Sequence, residues 1–130
     1  MRGIAGIAGG VLVALAGPVA AHPHMWTDTG VEIIFNADGL AEAVRIRWVY
    51  DEFASLMYVE ERGLDADHDG NATTAEAEAL AGFDMNWDQG FDGDTHVLSG
   101  VRELVLSRPA DWTADYRGGR ITTTHLRRIE

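Results

Sequence analysis

A chain of 130 residues with no cysteine cannot build disulfides, zinc–thiolate sites, iron–sulfur clusters or thiol redox chemistry, because each needs a thiolate. Its 21 aspartates and glutamates stand against 10 basic residues, all arginine, for a net charge of -11, which repels phosphate backbones, argues against nucleic acid as a partner and attracts metal cations. The length suits one domain with a modest core.

Arg2 followed by the apolar run Ile4 to Val19 and the small-residue end Ala20-Ala21 reads as a secretory signal peptide over residues 1–21, cleaved after Ala21. The run is short and glycine-rich for a membrane span and polar sequence follows it at once, so no stable membrane anchor is expected after cleavage. The expected organisation is therefore one metal-binding domain over residues 22–130, delivered across the inner membrane to the periplasm. Its first residues would be His22-Pro23-His24, a free amine and two imidazoles that suit copper, nickel or zinc. Pro23 has no amide proton to lose, which blocks a square-planar site built from successive backbone amides. A site here needs the imidazoles themselves or ligands from elsewhere, with His96 and His125 in reserve. The alternative is a frayed terminus with solvated histidines.

Val31, Ile33 and Phe35 alternate with polar positions, as do Val44, Ile46, Trp48 and Tyr50, which predicts two half-buried strands. Asn36-Ala37-Asp38-Gly39 between them is turn chemistry, so the pair reads as a β-hairpin. Asp51 is placed to cap a helix running to about Arg62, with Phe53, Leu56 and Met57 as its apolar face, and Gly63 ends it. A second helix starts at Thr73, whose spacing to Glu76 is that of a capping box. Ala77, Leu80, Phe83 and Trp87 continue its apolar face. Short strands are predicted near Thr95 to Leu98, Glu103 to Leu106, Trp112 to Tyr116 and Ile121 to Leu126, with Arg117-Gly118-Gly119-Arg120 as the turn between the last two.

Between the two helices, Asp65-Ala66-Asp67-His68-Asp69-Gly70 followed five residues later by Glu76 fits a twelve-residue EF-hand calcium loop. A hard dication with six to eight oxygen ligands needs alternating carboxylates, a sharp reversal at glycine and a final glutamate reaching in with both oxygens. Asn71 would add its backbone carbonyl, and Thr73 would act directly or through a water. Position eight, usually a branched aliphatic residue that pairs with a second hand, is Ala72, and the chain has no second loop. Weak pairing and weak affinity, roughly 10⁻⁴ to 10⁻³ M, follow. The alternative is an acidic inter-helix loop that holds no ion.

An Ala-Ala leader end, His22-Pro23-His24-Met25-Trp26-Thr27-Asp28, a hairpin ending Trp48-Val49-Tyr50-Asp51-Glu52-Phe53, and then Asp65-Ala66-Asp67-His68-Asp69-Gly70 together resemble the DUF1007 family over most of the mature chain. The resemblance implies an exported bacterial protein of unassigned activity, a periplasmic component of an uncharacterised transport system of the kind associated with nickel and cobalt export or zinc uptake. It implies transition-metal ligands at His22 and His24 and calcium ligands at Asp65, Asp67, Asp69 and Glu76. Members usually continue well past the segment resembling Ile121 to Glu130, which implies that this chain is the amino-terminal part of a longer domain.

These readings predict an α+β fold in which the hairpin and further short strands pack on an EF-hand-like helix–loop–helix pair. They predict a periplasmic accessory of a nickel, cobalt or zinc transport system, with an inner-membrane metal transporter as partner and calcium as a structural ion. The rival is a calcium-stabilised envelope protein with no transition-metal role. An enzyme is not expected: no Ser-His-Asp or Cys-His set has a recognisable spacing, no glycine-rich phosphate loop follows a strand, and calcium accounts for the carboxylates. Trp26, Trp48, Trp87 and Trp112 read as core or rim residues, His68 as solvent-facing, and His96 and His125 as structural histidines of strands.

Overall fold

The computed structural model describes residues 24–130, so the predicted signal peptide, residues 1–21, and His22 lie outside the described residues. The predicted hairpin forms from β1 (Thr27–Phe35) and β2 (Ala41–Tyr50), both longer than their alternation suggests. Its turn is held by Asn36, whose side-chain oxygen accepts the N–H groups of Asp38 and Leu40, each at 3.0 Å, while Gly39 takes φ 77°. Helix α1 (Glu52–Glu61) starts where Asp51 accepts the Ala54 N–H, and α2 (Thr74–Leu80) starts at the Thr73–Glu76 capping box. The remaining strands are β3 (Val97–Ser99), β4 (Arg102–Leu104), β5 (Ala110–Arg117) and β6 (Arg120–Arg128).

The four long strands make one antiparallel sheet in the order β1-β2-β6-β5, and β3 and β4 make a separate two-stranded ribbon. The last strand, rich in β-branched Ile121, Thr122, Thr123 and Thr124, is therefore a central one. Directly opposed residues share a face, so Val44, Ile46 and Trp48 of β2 lie beside Arg127, His125 and Thr123 of β6. Met85, Trp87, Val97 and Leu106 cover the β2 residues. A second cluster at the β5–β6 end joins Val59 of α1, Leu80 of α2, Tyr116 and Ile121, and Tyr50 packs against both clusters.

Three departures from the predicted pattern have physical causes. The cover stops at β2, so Val31 and Ile33 of edge strand β1, each 53% exposed, and Phe35 are not half-buried. In α1 the apolar Phe53, Leu56 and Met57 face solvent, whereas Ala54, Ser55 and Val59 face inward. Small side chains there let the helix approach β6 closely enough for Ser55 Oγ to accept the Ile121 N–H at 2.8 Å. Helix α2 ends at Leu80 rather than running to Trp87, because Gly82 takes φ 81° with the Trp112 indole packed on its Cα. The unwound segment then spreads Phe83, Met85 and Trp87 across the sheet. The result is an α+β fold dominated by sheet, in which α1 packs mainly on β6 and α2 on β5. No helix among the described residues is long and apolar enough to cross a membrane.

Candidate functional site

After α1 the chain turns through Gly63 at φ 63°, Leu64 packs into the second cluster, and Asp65 enters the acidic loop buried, 6% exposed, at φ 55°. Its two carboxylate oxygens accept the N–H groups of Asp69 at 3.0 Å and Gly70 at 3.2 Å. Asp67 accepts from Asp69 N–H at 3.4 Å, and Asp69 accepts from Asn71 N–H at 2.7 Å. These short-range bonds need the reversals at His68, φ 55°, and Gly70, φ 77°. They fold the three carboxylates inward, so that one oxygen from each of Asp65, Asp67 and Asp69 lies within 4.8 Å of the others. Three anionic groups at that spacing repel one another, and a hard divalent cation would relieve the repulsion.

Glu76 is occupied differently. One carboxylate oxygen accepts the Asp65 N–H at 2.8 Å; the other accepts the Thr73 N–H and hydroxyl, each at 2.8 Å. The Thr73 N–H and hydroxyl, followed by the Asp65 N–H, hold its pKa below the usual carboxylate value. It thus ties the end of the loop to its start. Asn71 turns its side-chain oxygen to the Gly118 N–H at 3.2 Å. Of the five residues predicted to hold calcium, Asp65, Asp67 and Asp69 are brought together, while the side chains of Glu76 and Asn71 serve the loop's own scaffold.

The pairing partner that the sequence lacks is supplied by the sheet. Ala72 N–H donates to Tyr116 O at 2.7 Å and Gly119 N–H donates to Gly70 O at 3.0 Å. The loop docks on edge strand β5 and its turn, and a Cβ at Gly70 would already lie 3.4 Å from the Gly119 nitrogen.

The histidines are dispersed. His24 is exposed at the start of the described chain, near the amino-terminal end of α1, where Asp51 accepts the Trp26 N–H. The acidic loop follows the other end of that ten-residue helix, about 15 Å away by helical rise. His68 is solvent-facing, as predicted, with its Nδ1 3.9 Å from Glu60. His96 pairs with Glu103, and His125 is buried. Among the described residues neither reserve histidine is grouped with His24, the described member of the amino-terminal pair, and the metal-type cluster found there contains no histidine.

Sequence reasoning missed a buried polar centre on the covered face of the sheet. Asp84, in the turn after α2, accepts the Tyr50 hydroxyl at 2.9 Å and the Thr123 hydroxyl at 2.7 Å through one oxygen. Its other oxygen is buried without a partner, as are Trp48 Nε1 and His125 Nδ1. The His125 ring, 1% exposed, packs edge-on to Trp48 at 4.8 Å and to Trp87 at 5.7 Å. Burial pushes the His125 pKa down, and burial together with the Asp84 charge pushes Tyr50 far up. No local signal announces this centre, because its members come from β2, the turn after α2 and β6.

Compared with known proteins, the chain matches the family model described as a protein of unknown function, DUF1007, over residues 7–130. No curated protein and no solved structure matches it.

Proposed function

We propose that this chain, which belongs to the DUF1007 family, is an exported, periplasmic divalent-cation-binding protein, in which calcium at the acidic loop braces the helices against the sheet. In the fuller form of this reading, His22 and His24 hold a transition metal, zinc, nickel, cobalt or copper, for an inner-membrane transporter. The observation that supports it is the convergence of Asp65, Asp67 and Asp69 within 4.8 Å in a loop tied to α1, α2 and the β5–β6 turn. Those three carboxylates, with the Asn71 carbonyl and Thr73, would hold the ion. Glu76 would have to exchange its bonds to Asp65 and Thr73 to join them. Bound calcium supplies charge neutralisation and no chemistry of its own, which keeps the reading non-enzymatic.

The second reading is calcium bracing alone, and the lack of any histidine in the metal-type group among the described residues favours it. Isothermal titration of the processed protein with calcium, zinc, nickel, cobalt and copper separates the two. Calcium binding in the 10⁻⁴ to 10⁻³ M range that disappears in Asp67→Asn supports the loop assignment; no calcium heat, or heat unchanged in that variant, removes it. Transition-metal binding lost in His22→Ala/His24→Ala supports delivery, and binding that is absent or unchanged leaves the bracing role alone.

A further inference from the structure

The two edges of the main sheet are finished differently. An edge strand presents unpaired backbone N–H and C=O groups that accept another strand unless a bulge, a charge or a covering loop prevents it. Edge strand β5 has all three. Its pairing with β6 is bulged between Ala110 and Thr113, Asp111 within the bulge sits at φ 49° and pairs with Arg128 at 3.6 Å, and the acidic loop docks at its far end, where Tyr116 O accepts the Ala72 N–H. Edge strand β1 lacks this protection. Among the described residues its nine residues pair only with β2. The one irregularity in that pairing places the extra residue, Glu42, on β2, so β1 itself is uninterrupted, and it holds no proline, lysine or arginine. Its two charges are neutralised within the sheet: Asp28 pairs with Arg120 at 3.2 Å and Glu32 with Arg45 at 3.4 Å.

The side chains of β1 say what fits there. Val31 and Ile33 stand opposite Ile46 and Val44, on the face that carries the core, and with Phe35 they extend that apolar layer past its cover into solvent. The matching occupant is an extended strand that carries the same apolar alternation and brings no uncompensated acid to the seam. Strand β1 of a second copy meets both conditions. The net charge of -11 sets two copies against each other in general, but at this edge the arginines of β2 and β6 cancel the acids of β1. Because side chains alternate with period two, a two-fold axis that keeps the apolar faces together must pass through a residue. Centred on Val31, it would set Ile33 and Phe35 against Thr29 and Thr27; centred on Glu32, it would oppose two like charges. Centred on Ile33, it sets Ile33 against its own copy and Val31 against Phe35. We propose that β1 is a dimerisation edge, pairing antiparallel with β1 of a second copy about a two-fold axis at Ile33, so that the two four-stranded sheets become one and their exposed apolar strips one seam.

The test is sedimentation of the full processed chain without divalent ions, so that the outcome does not depend on the acidic loop. The expected result is a monomer–dimer equilibrium between about 1 μM and 1 mM, the span suited to a small interface, and tighter association as added salt screens the net acidic charge of each copy. Ile33→Lys, at an exposed position, sets a like charge against its own copy and should weaken the dimer about tenfold or more. Leu98→Lys, at a comparably exposed apolar residue of β3, should leave it unchanged. In the wild type, amide hydrogen exchange within Thr27–Phe35 should slow as concentration rises while that of β5 stays constant; this measurement decides the matter where Ile33→Lys does not fold. A monomer at every concentration would leave the edge to a strand of another protein and overturn the proposal. A dimer that Ile33→Lys leaves intact, an equal loss in Leu98→Lys, or concentration-dependent protection outside β1 overturns it as well.

Discussion

The acidic loop and the polar centre around Asp84 are both built on carboxylates, but they are opposite constructions. Within the loop, the bonds of Asp65, Asp67 and Asp69 to backbone N–H groups span five residues or fewer. At the centre, Asp84 meets Tyr50 across 34 residues and Thr123 across 39. The loop is a local conformer whose carboxylates are mostly exposed, and water can replace what they lose. The centre exists only when the sheet has formed, and its unmet Asp84, Trp48 and His125 atoms are closed to water. Stability should therefore reside in the centre, and ion response in the loop.

The largest expected effect breaks this comparison if it fails. Asp84→Ala strips the Tyr50 and Thr123 hydroxyls of their common acceptor and should cost about 3 kcal/mol. Asp67→Ala, in the absence of divalent ions, should stay within about 0.5 kcal/mol. Urea unfolding followed by tryptophan fluorescence measures both, and similar costs would mean that the loop carries structure in its own right. Next in size is Ser55→Ala at the α1–β6 contact. It leaves the buried Ile121 N–H without its acceptor and should cost about 2 kcal/mol in the same measurement. A negligible cost would mean that α1 is held by Val59 and its apolar neighbours alone.

How much of this was legible follows the same division. The Asn36–Gly39 turn, the Asp51 cap, the Thr73–Glu76 capping box and the inward fold of three aspartates are all set by residues a few positions apart, and all were predicted. The face of α1 was misassigned, because Phe53, Leu56 and Met57 make the better apolar stripe on paper. Which face is buried was decided by how closely β6 can approach, and small residues permit that. The central place of β6, the docking of Ala72 on Tyr116 and the orphaned Arg127 and His125 nitrogens are pairings between distant segments. Periodicity does not record them.

Acid should act on the centre before the loop. Burial lowers the folded-state pKa of His125, a pull that outweighs the opposite influence of Asp84. The unfolded chain then takes up a proton below about pH 6.5 that the folded chain refuses, and stability falls as pH drops below that value. Between pH 7.5 and 5.5 the loss reaches at most about 1.4 kcal/mol for one such group. Glu76 responds later and in the carboxylate sense: its lowered pKa contributes stability that is present above the ordinary glutamate range and lost as pH falls through the folded value. Urea midpoints across that pH range should fall in the wild type and flatten in His125→Gln. An equal slope in the variant would assign the loss to another group.

The smallest effect is the one that sharpens the comparison most. An ion that binds the folded loop with an affinity of 10⁻⁴ to 10⁻³ M stabilises the fold at 1 mM calcium by about 0.4–1.4 kcal/mol. That increment should vanish in Asp67→Asn. It should persist undiminished in Asp84→Asn, because effects at sites with no shared partners add, and the loop and the centre share none of their bonds. The β5–β6 hairpin is one path between them: β6 carries Thr123 of the centre, and the turn before it takes Gly70 and Asn71 of the loop. A calcium increment that shrinks with Asp84→Asn would mean that the fold between them transmits strain from one carboxylate site to the other. Thermal melts of the wild type and both variants, with and without calcium, measure that coupling as a single difference.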